Sequence, residues 1–279
     1  MEILIIFVIV ILCIGTAFLF LGFVFSALEH PFSILFHRPF YVHFYFPLRR
    51  LSEAQSSILR REFRFYSTLS PRKQKFFEHR VYRFINKYEF IGKDGMVIDD
   101  RVKVLIAATS TMLTFGMRVY LYEVVTKILV YPQEYLSPHA NAYHKGEFNP
   151  AAKLIVFSWE DFLKGFESGD DNINLGIHEF AHVLHFHSAK RNDSSAEIFH
   201  RMFNRITLEI HRPANREKLI SSTYFRIYAY TNQFEFLAVI IEHFFESPAL
   251  FKAEFPQLFT NVSRMLNHRP KIKPVLHSG

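Results

Sequence analysis

The residues best suited to chemistry in this chain lie in the stretch Leu175–Leu184. His178 and His182 are four positions apart in a run of helix-forming residues, and positions i and i+4 share one helix face. Their imidazoles can therefore bind one metal ion, and Glu179 stands where a carboxylate can take a proton from an activated water. The pattern predicts metal-dependent hydrolysis. The simpler alternative is an amphipathic helix whose histidines only form hydrogen bonds.

A third metal ligand is expected downstream, in the apolar segment that follows Tyr228. Glu235 stands there among Phe, Leu and Ala, and a buried carboxylate is costly unless a partner neutralises it. One zinc ion per chain would do so, and two His with one Glu would leave a fourth position open for water. A salt bridge or a solvent-facing position is the alternative for Glu235. Two other acidic residues of the segment are alternative ligands: Glu242 and Glu246.

Helices and short strands are predicted around these residues from periodicity and turn signals. Helices are expected after Ser70, after Asp99 or Asp100, around residues 198–210, and after Thr231 or Asn232. Two β-branched runs predict the strands Ile128–Tyr131 and Lys153–Ser158, and residues 137–150 between them read as a polar loop. The histidines of that loop, His139 and His144, lack helical pairing and are interpreted as loop residues.

Composition and charge limit the classes of function. The 279 residues suffice for one or two domains, and Cys13, the single cysteine, excludes an intramolecular disulfide. Residues 37–90 carry 12 Lys or Arg against 4 Glu, whereas the remaining downstream chain is nearly balanced. No recognition element accompanies the basic residues, so nucleic-acid binding is not expected. Five of them are predicted to form a solvated helix face: Arg72, Lys73, Lys75, Arg80 and Arg83.

The amino-terminal segment predicts a membrane anchor. Residues 3–28 contain no charge and, as a helix, span roughly 39 Å, more than the ~30 Å hydrocarbon core. A signal peptide is the alternative, but no basic residues precede the run and it exceeds the usual ~7–15 residues. Arginines follow the run and Glu2 precedes it, so the positive-inside rule places the remaining chain in the cytoplasm. We expect a single-pass protein of the inner (cytoplasmic) membrane.

The expected domain organisation has four parts. Residues 1–28 form the anchor, 29–51 a juxtamembrane linker, 52–270 an α+β catalytic domain that is mostly helical with a small sheet, and 271–279 a tail. Within the linker, Pro39–Pro47 is rich in Phe, Tyr and His. This segment suits either the membrane interface or an extended strand packed on the domain, and the sequence does not separate the two.

Five blocks of the sequence occur in a characteristic set: Leu175–Leu184, Tyr228-x-x-Thr-Asn-x-x-Glu235-Phe, Phe90-Ile-Gly-x-x-Gly-Met-Val-Ile-Asp-Asp, Leu129–Pro132 and Val156–Trp159. Together they resemble the Mlc titration factor A family of bacterial zinc-dependent peptidases, over roughly residues 52–262. The block that begins at Tyr228 is also similar to part of anthrax lethal factor, a zinc protease of related fold.

The resemblance implies a zincin-like fold and a set of site residues. Glu179 would be the general base, Tyr228 would stabilise the oxyanion, and the strand Lys153–Ser158 would be the edge along which an extended peptide pairs. The implied zinc ligands are His178, His182 and Glu235.

Two features depart from the family pattern. Relatives usually have an acidic residue at the position of His185. The contact that this acidic residue makes to a metal ligand in relatives is therefore changed here. The better-known members are soluble, whereas an anchor is expected here. The leading function is therefore a membrane-anchored zinc metallopeptidase acting on a peptide or protein. The alternative is a tethered binding protein that sequesters a cytoplasmic transcription regulator, since family members regulate glucose uptake by binding the repressor Mlc.

Overall fold

The computed structural model describes residues 1–137, 142–167 and 171–272. Helices make up most of this part, and the predicted fold class, a mostly helical α+β domain with a small sheet after an apolar helix, is confirmed. The helices are α1 Glu2–Phe36, α2 Glu53–Glu62, α3 Arg64–Ser67, α4 Pro71–Lys87, α5 Asp100–Thr114, α6 Trp159–Glu167, α7 Leu175–Ser188, α8 Ser194–Ile210, α9 Pro213–Ser221, α10 Gln233–Glu246, α11 Pro248–Glu254 and α12 Pro256–Met265. The strands are β1 Glu89–Gly92, β2 Lys127–Tyr131, β3 Tyr135–Ser137, β4 Ala142–His144, β5 Gly146–Asn149 and β6 Leu154–Ser158.

The four-stranded sheet has the order β1-β2-β6-β5. Both predicted strands form, as β2 and β6, and they run parallel with Ile128 opposite Ile155. β5 pairs antiparallel with β6, and β3 and β4 form a separate two-stranded sheet. The prediction of one polar loop over residues 137–150, with His144 as a loop residue, was therefore wrong for Ser137, 142–144 and 146–149. Backbone pairing of β4 with β3 and of β5 with β6 overrides the polar composition there.

The edge of this sheet differs from the one implied by the family resemblance. β6, expected to be an edge strand, lies between β2 and β5 and so has both sides occupied. β5 is the edge strand on that side, since it pairs with β6 alone among the described strands. The position expected for an extended peptide therefore moves by one strand, from Lys153–Ser158 to Gly146–Asn149.

The core of the domain is centred on α7. α7 contacts α5 on one side and α10 on another, and it also packs against β5 and β6. Residues Val102–Ala108 of α5 are nearly all buried, and so are Phe236–Ile241 of α10. Because the helix that carries the paired histidines is held by packing on several sides, its side chains are fixed relative to α10 and the sheet.

The helix that begins in the apolar run continues beyond residue 28, since α1 extends to Phe36 and contains Pro31. α1 is long and apolar enough to cross a membrane, and its first part makes no buried contact with the domain. Its last turns contact α8, and Glu29 forms an ion pair with Arg118 and accepts a hydrogen bond from Ser194. The end of the apolar helix is thus fixed to the folded domain.

Part of the juxtamembrane segment packs on the domain, whereas Phe44 and Phe46 of the same segment are exposed. The ring of His43 stacks on Phe76 at 4.9 Å, and the ring of Tyr45 stacks on His79 at 4.3 Å. The segment forms no strand, so its contacts are made by side chains. These contacts join the end of α1 to α4.

The predicted solvated face of α4 was wrong for Arg80, whose exposed fraction is 0%. Its guanidinium donates to the Tyr45 hydroxyl and to the carbonyls of Thr114 and Met117, and it lies 4.4 Å from the ring centre of Tyr120. Thr114 ends α5, where the helix dipole favours a cation. The folded-back juxtamembrane segment covers this arginine, and the helical periodicity of α4 alone could not reveal that cover.

Candidate metal centre

The paired histidines project from the first half of α7. Asn174 caps this helix, because its side chain accepts a hydrogen bond from the Ile177 amide at 3.0 Å. One turn separates His178 from His182, and their Nε2 atoms are 3.2 Å apart. His178 is buried and His182 is partly buried, so two imidazole nitrogens meet at the base of a shielded site.

Glu235 reaches the same place from the first turn of α10. Asn232 caps α10 by accepting hydrogen bonds from the amides of Phe234 and Glu235, which decides between the two predicted cap residues. The carboxylate of Glu235 lies 3.0 Å from His178 Nε2 and 3.5 Å from His182 Nε2. The three predicted ligands are therefore brought together from two helices that are far apart in sequence.

The geometry of this trio fits a small divalent metal ion. One ligand atom from each residue lies within 4.8 Å of the others, and the closest pairs approach the ~3.4 Å expected between tetrahedral zinc ligands. The Oε2 atom of Glu235 is buried and has no hydrogen bond of good geometry, despite its proximity to His178. Two nitrogens and one carboxylate oxygen form a donor set typical of catalytic zinc.

Proton binding at the trio opposes metal binding. Burial raises the pKa of Glu235, but the nearby imidazoles of His178 and His182 outweigh burial and hold this pKa well below its ordinary value. Burial lowers the pKa of His178, whereas Glu235 and Glu242 raise it, with a net value of about 9. A protonated nitrogen cannot bind a metal ion, so at neutral pH a metal that bound at His178 would displace a proton from its imidazole.

Glu179 is buried at the boundary between α7 and the edge strand β5. Gly146 of β5 approaches it so closely that a Cβ on Gly146 would come within 3.0 Å of Glu179 Oε1. Burial raises the pKa of Glu179, which brings its basicity closer to that suited to proton transfer at neutral pH. The carboxylate thus lies next to both the histidine pair and the sheet edge.

Tyr228 borders the same site from a 3-10 helix, Ile227–Tyr230, that precedes the α10 cap. Its side chain is 51% exposed, and its ring centre lies 6.0 Å from that of His178. Burial of part of the ring, together with the charge and hydrogen bond of Glu235, raises the pKa of Tyr228 to about 12. The hydroxyl therefore keeps its proton at neutral pH and can donate a hydrogen bond.

A fully buried carboxylate, Glu242, supports the histidine pair from behind. Its Oε1 atom lies 2.7 Å from His178 Nδ1, and its exposed fraction is 0%. Arg226 donates hydrogen bonds to both carboxylate oxygens of Glu242, at 2.7 and 2.9 Å, and the backbone N–H of Asn174 donates to Glu242 Oε2. Glu242 thus orients His178 and does not take the place of Glu235 as the candidate third ligand. Arg226 also belongs to the site, although nothing in the sequence indicated it.

The other candidate residues lie outside the trio. Glu246 hydrogen-bonds Asn174 and faces a different cavity, and His139 lies outside the described residues. The ring of His185 packs against Phe203 and Phe234, and burial lowers its pKa to about 4, so it is neutral. The carboxylate that contacts a candidate metal ligand here is therefore Glu242 of α10, which lies next to His178.

Replacement of Glu242 by glutamine is expected to weaken metal binding by about 10–100-fold, the usual effect of losing a carboxylate that orients a ligand. Glutamine keeps the size of the side chain, but its amide cannot offer Arg226 and His178 two charged acceptors. Competition with a chelator of known affinity would measure the change. Glu254→Gln, an exposed matched control, should leave the affinity unaltered, and equal affinities for both variants would contradict the role of Glu242.

Comparison with known proteins identifies the family. Residues 46–266 match the glucose-regulated metallo-peptidase M90 family. This chain belongs to that family. The M90 match also confirms the resemblance noted from the sequence blocks. A relative from Synechocystis sp., itself an uncharacterized protein, is 26% identical over 217 residues, which cover 70% of this chain and 76% of the relative.

Membership of the M90 family establishes a metallopeptidase-like domain. It also implies a metal ion, for which His178, His182 and Glu235 are a suitable group. The matched range begins within the juxtamembrane segment and ends after α12, so it includes all the residues of the candidate centre. α1 lies outside the match and is a feature of this chain beyond the shared domain.

Proposed function

We propose that this protein is a membrane-anchored zinc metallopeptidase that hydrolyses peptide bonds. The observation that carries the proposal is the convergence of His178, His182 and Glu235 beside the buried carboxylate of Glu179. Two imidazoles and a carboxylate with an adjacent base suit hydrolysis better than a purely structural metal site, which would be closed by four protein ligands.

The proposed chemistry assigns one step to each side chain. A zinc ion held by the trio would supply Lewis-acid chemistry that acidifies water and polarises the scissile carbonyl. Glu179 accepts the proton of the attacking water on a carboxylate oxygen and later passes it to the leaving amine. Tyr228 donates its hydroxyl hydrogen bond to the oxygen that becomes negative in the tetrahedral intermediate.

The substrate is proposed to be an extended peptide that lies along β5. In the described part of the chain this strand is paired on one side only, so its other side can hydrogen-bond a peptide backbone. Gly146 brings the strand next to Glu179, which would place a bound peptide beside the base. A side chain at position 146 would press on Glu179 and hold the peptide away.

Peptide cleavage is expected to depend on the metal. The full-length protein in lipid nanodiscs, incubated with a peptide library and analysed by mass spectrometry, should give products that disappear after chelation and return when zinc is added back. Capture of cytoplasmic proteins by the same preparation tests the regulator alternative. Absence of cleavage by the zinc-loaded protein, together with capture of a partner, would replace the peptidase proposal with the binding one.

The domain is proposed to face the cytoplasm, with α1 as a single-pass anchor in the inner membrane. Arginines that follow α1, including Arg38, Arg49 and Arg50, favour the cytoplasmic side. A reporter active only in the cytoplasm should work when fused after Gly279 and fail when fused before Met1. A reporter that is active only outside the cytoplasm and works after Gly279 would reverse this topology.

A further inference from the structure

A cavity lies away from the trio, beside the N-terminus of α7. It has a volume of about 390 Å³ and lies between α2, α3, α5 and the start of α7, with the segment after α12 along one side. Apolar side chains form much of its wall: Phe63, Phe65, Met112, Phe166, Ile177 and Phe245. A space of this size and lining matches the pockets that enclose small organic molecules.

The rim of the cavity is basic. Arg64, Lys73 and Arg269 line it, are exposed, and form no ion pair with any residue in the ranges 1–137, 142–166 and 171–272. Lys271 also lines the rim, and its ammonium group donates to the Thr68 carbonyl. Three cations that have no ion-pair partner in the described part of the chain, placed around one apolar opening, would attract an anion.

The acidic residues of the cavity are already engaged. Glu62 is paired with Arg61 and Arg101, so its charge is largely compensated. Glu246 accepts a hydrogen bond from the Asn174 side chain, and burial raises its pKa to about 7. His268 also lines the cavity, and burial lowers its pKa to about 4, so it is neutral at pH 7. The charge available to a ligand therefore comes mainly from the basic rim.

From this complementarity we infer that the cavity is a binding site for a small organic acid, with a carboxylate at the basic rim and an aromatic or acyl body against the phenylalanines. Arg64 and Lys73 would hold the carboxylate by charge-assisted hydrogen bonds. The site is separate from the metal centre, because Asn174 and Glu246 stand between the cavity and Glu242.

The test uses the full-length protein in nanodiscs of zwitterionic lipid and the probe 4-(trifluoromethyl)benzoate, followed by fluorine NMR. Saturable binding of one probe per chain is expected, and the uncharged analogue 4-(trifluoromethyl)benzamide should bind at least tenfold more weakly. The double variant Arg64→Gln/Lys73→Gln should lose affinity by about tenfold or more, because two charged donors are removed. The matched control Arg212→Gln/Arg216→Gln changes two exposed arginines of the α9 region and should bind as the wild type does.

Two further measurements separate this site from others. His182→Ala should keep the probe affinity, since it alters the metal centre and not the cavity. The thermal unfolding midpoints of both double variants should equal that of the wild type. Any loss of probe binding can then be attributed to the charges removed from the rim. The inference is overturned if no saturable binding occurs, if the benzamide binds as well, or if His182→Ala loses the probe while the Arg64/Lys73 variant retains it.

Discussion

Glu179→Gln is expected to lower kcat for peptide cleavage by about 10²–10⁴-fold while leaving zinc content unchanged. The substitution keeps the size of the side chain and all three proposed ligands, but an amide cannot accept the proton of the attacking water. Glu179 is buried between α7 and Gly146, so an isosteric change should not disturb the fold. The effect should fall on kcat rather than on peptide affinity, because Glu179 acts in the chemical step.

Steady-state kinetics on one good peptide, together with zinc analysis of each variant, would measure this. Glu217→Gln, an exposed carboxylate-to-amide change on α9, is the matched control and should retain full activity. Tyr228→Phe should cost about 10²-fold, since one hydrogen-bond donor to the oxyanion is lost. A Glu179→Gln protein that retains zinc and cleaves at the wild-type rate would show that this carboxylate is not the base.

We expect the wild-type protein to bind one zinc ion per chain, and Glu235→Ala to remove this zinc almost completely. Two imidazoles would remain, and a bound metal would lose the only carboxylate in the trio. α7 and α10 should persist, because their caps, Asn174 and Asn232, and their buried faces are unchanged. The Glu235→Ala variant should therefore lose metal and activity but keep its helical content.

Elemental analysis after dialysis against trace zinc, with circular dichroism for helix content, would test the third ligand. His182→Ala should lose zinc to a similar extent, and Glu254→Ala, an exposed residue at the end of α11, should keep it. Full zinc retention by Glu235→Ala would exclude Glu235 as a ligand. Glu242, which already contacts His178 Nδ1, would then be the next residue to test.

Local chemistry in the sequence was enough to predict several features of the site. The i, i+4 spacing of His178 and His182 fixes them on one helix face whatever the surrounding fold. A helix cap at Thr231 or Asn232 places Glu235 near the start of the next helix, and an isolated carboxylate in an apolar run requires a partner. The length and composition of the uncharged run in α1 are enough to predict a membrane anchor without any structure.

Tertiary packing decided the features that depend on distant partners. Glu242 supports His178 only because α10 packs against α7, and Arg226 reaches both only because the chain between α9 and α10 folds back. Arg80 is buried because the juxtamembrane segment covers it. The edge strand is β5 and not β6, because β5 pairs with β6 through backbone hydrogen bonds. Such pairing does not depend on the polar side chains that suggested a loop. Periodicity reports which face of an element is apolar, but it does not report which element will cover that face.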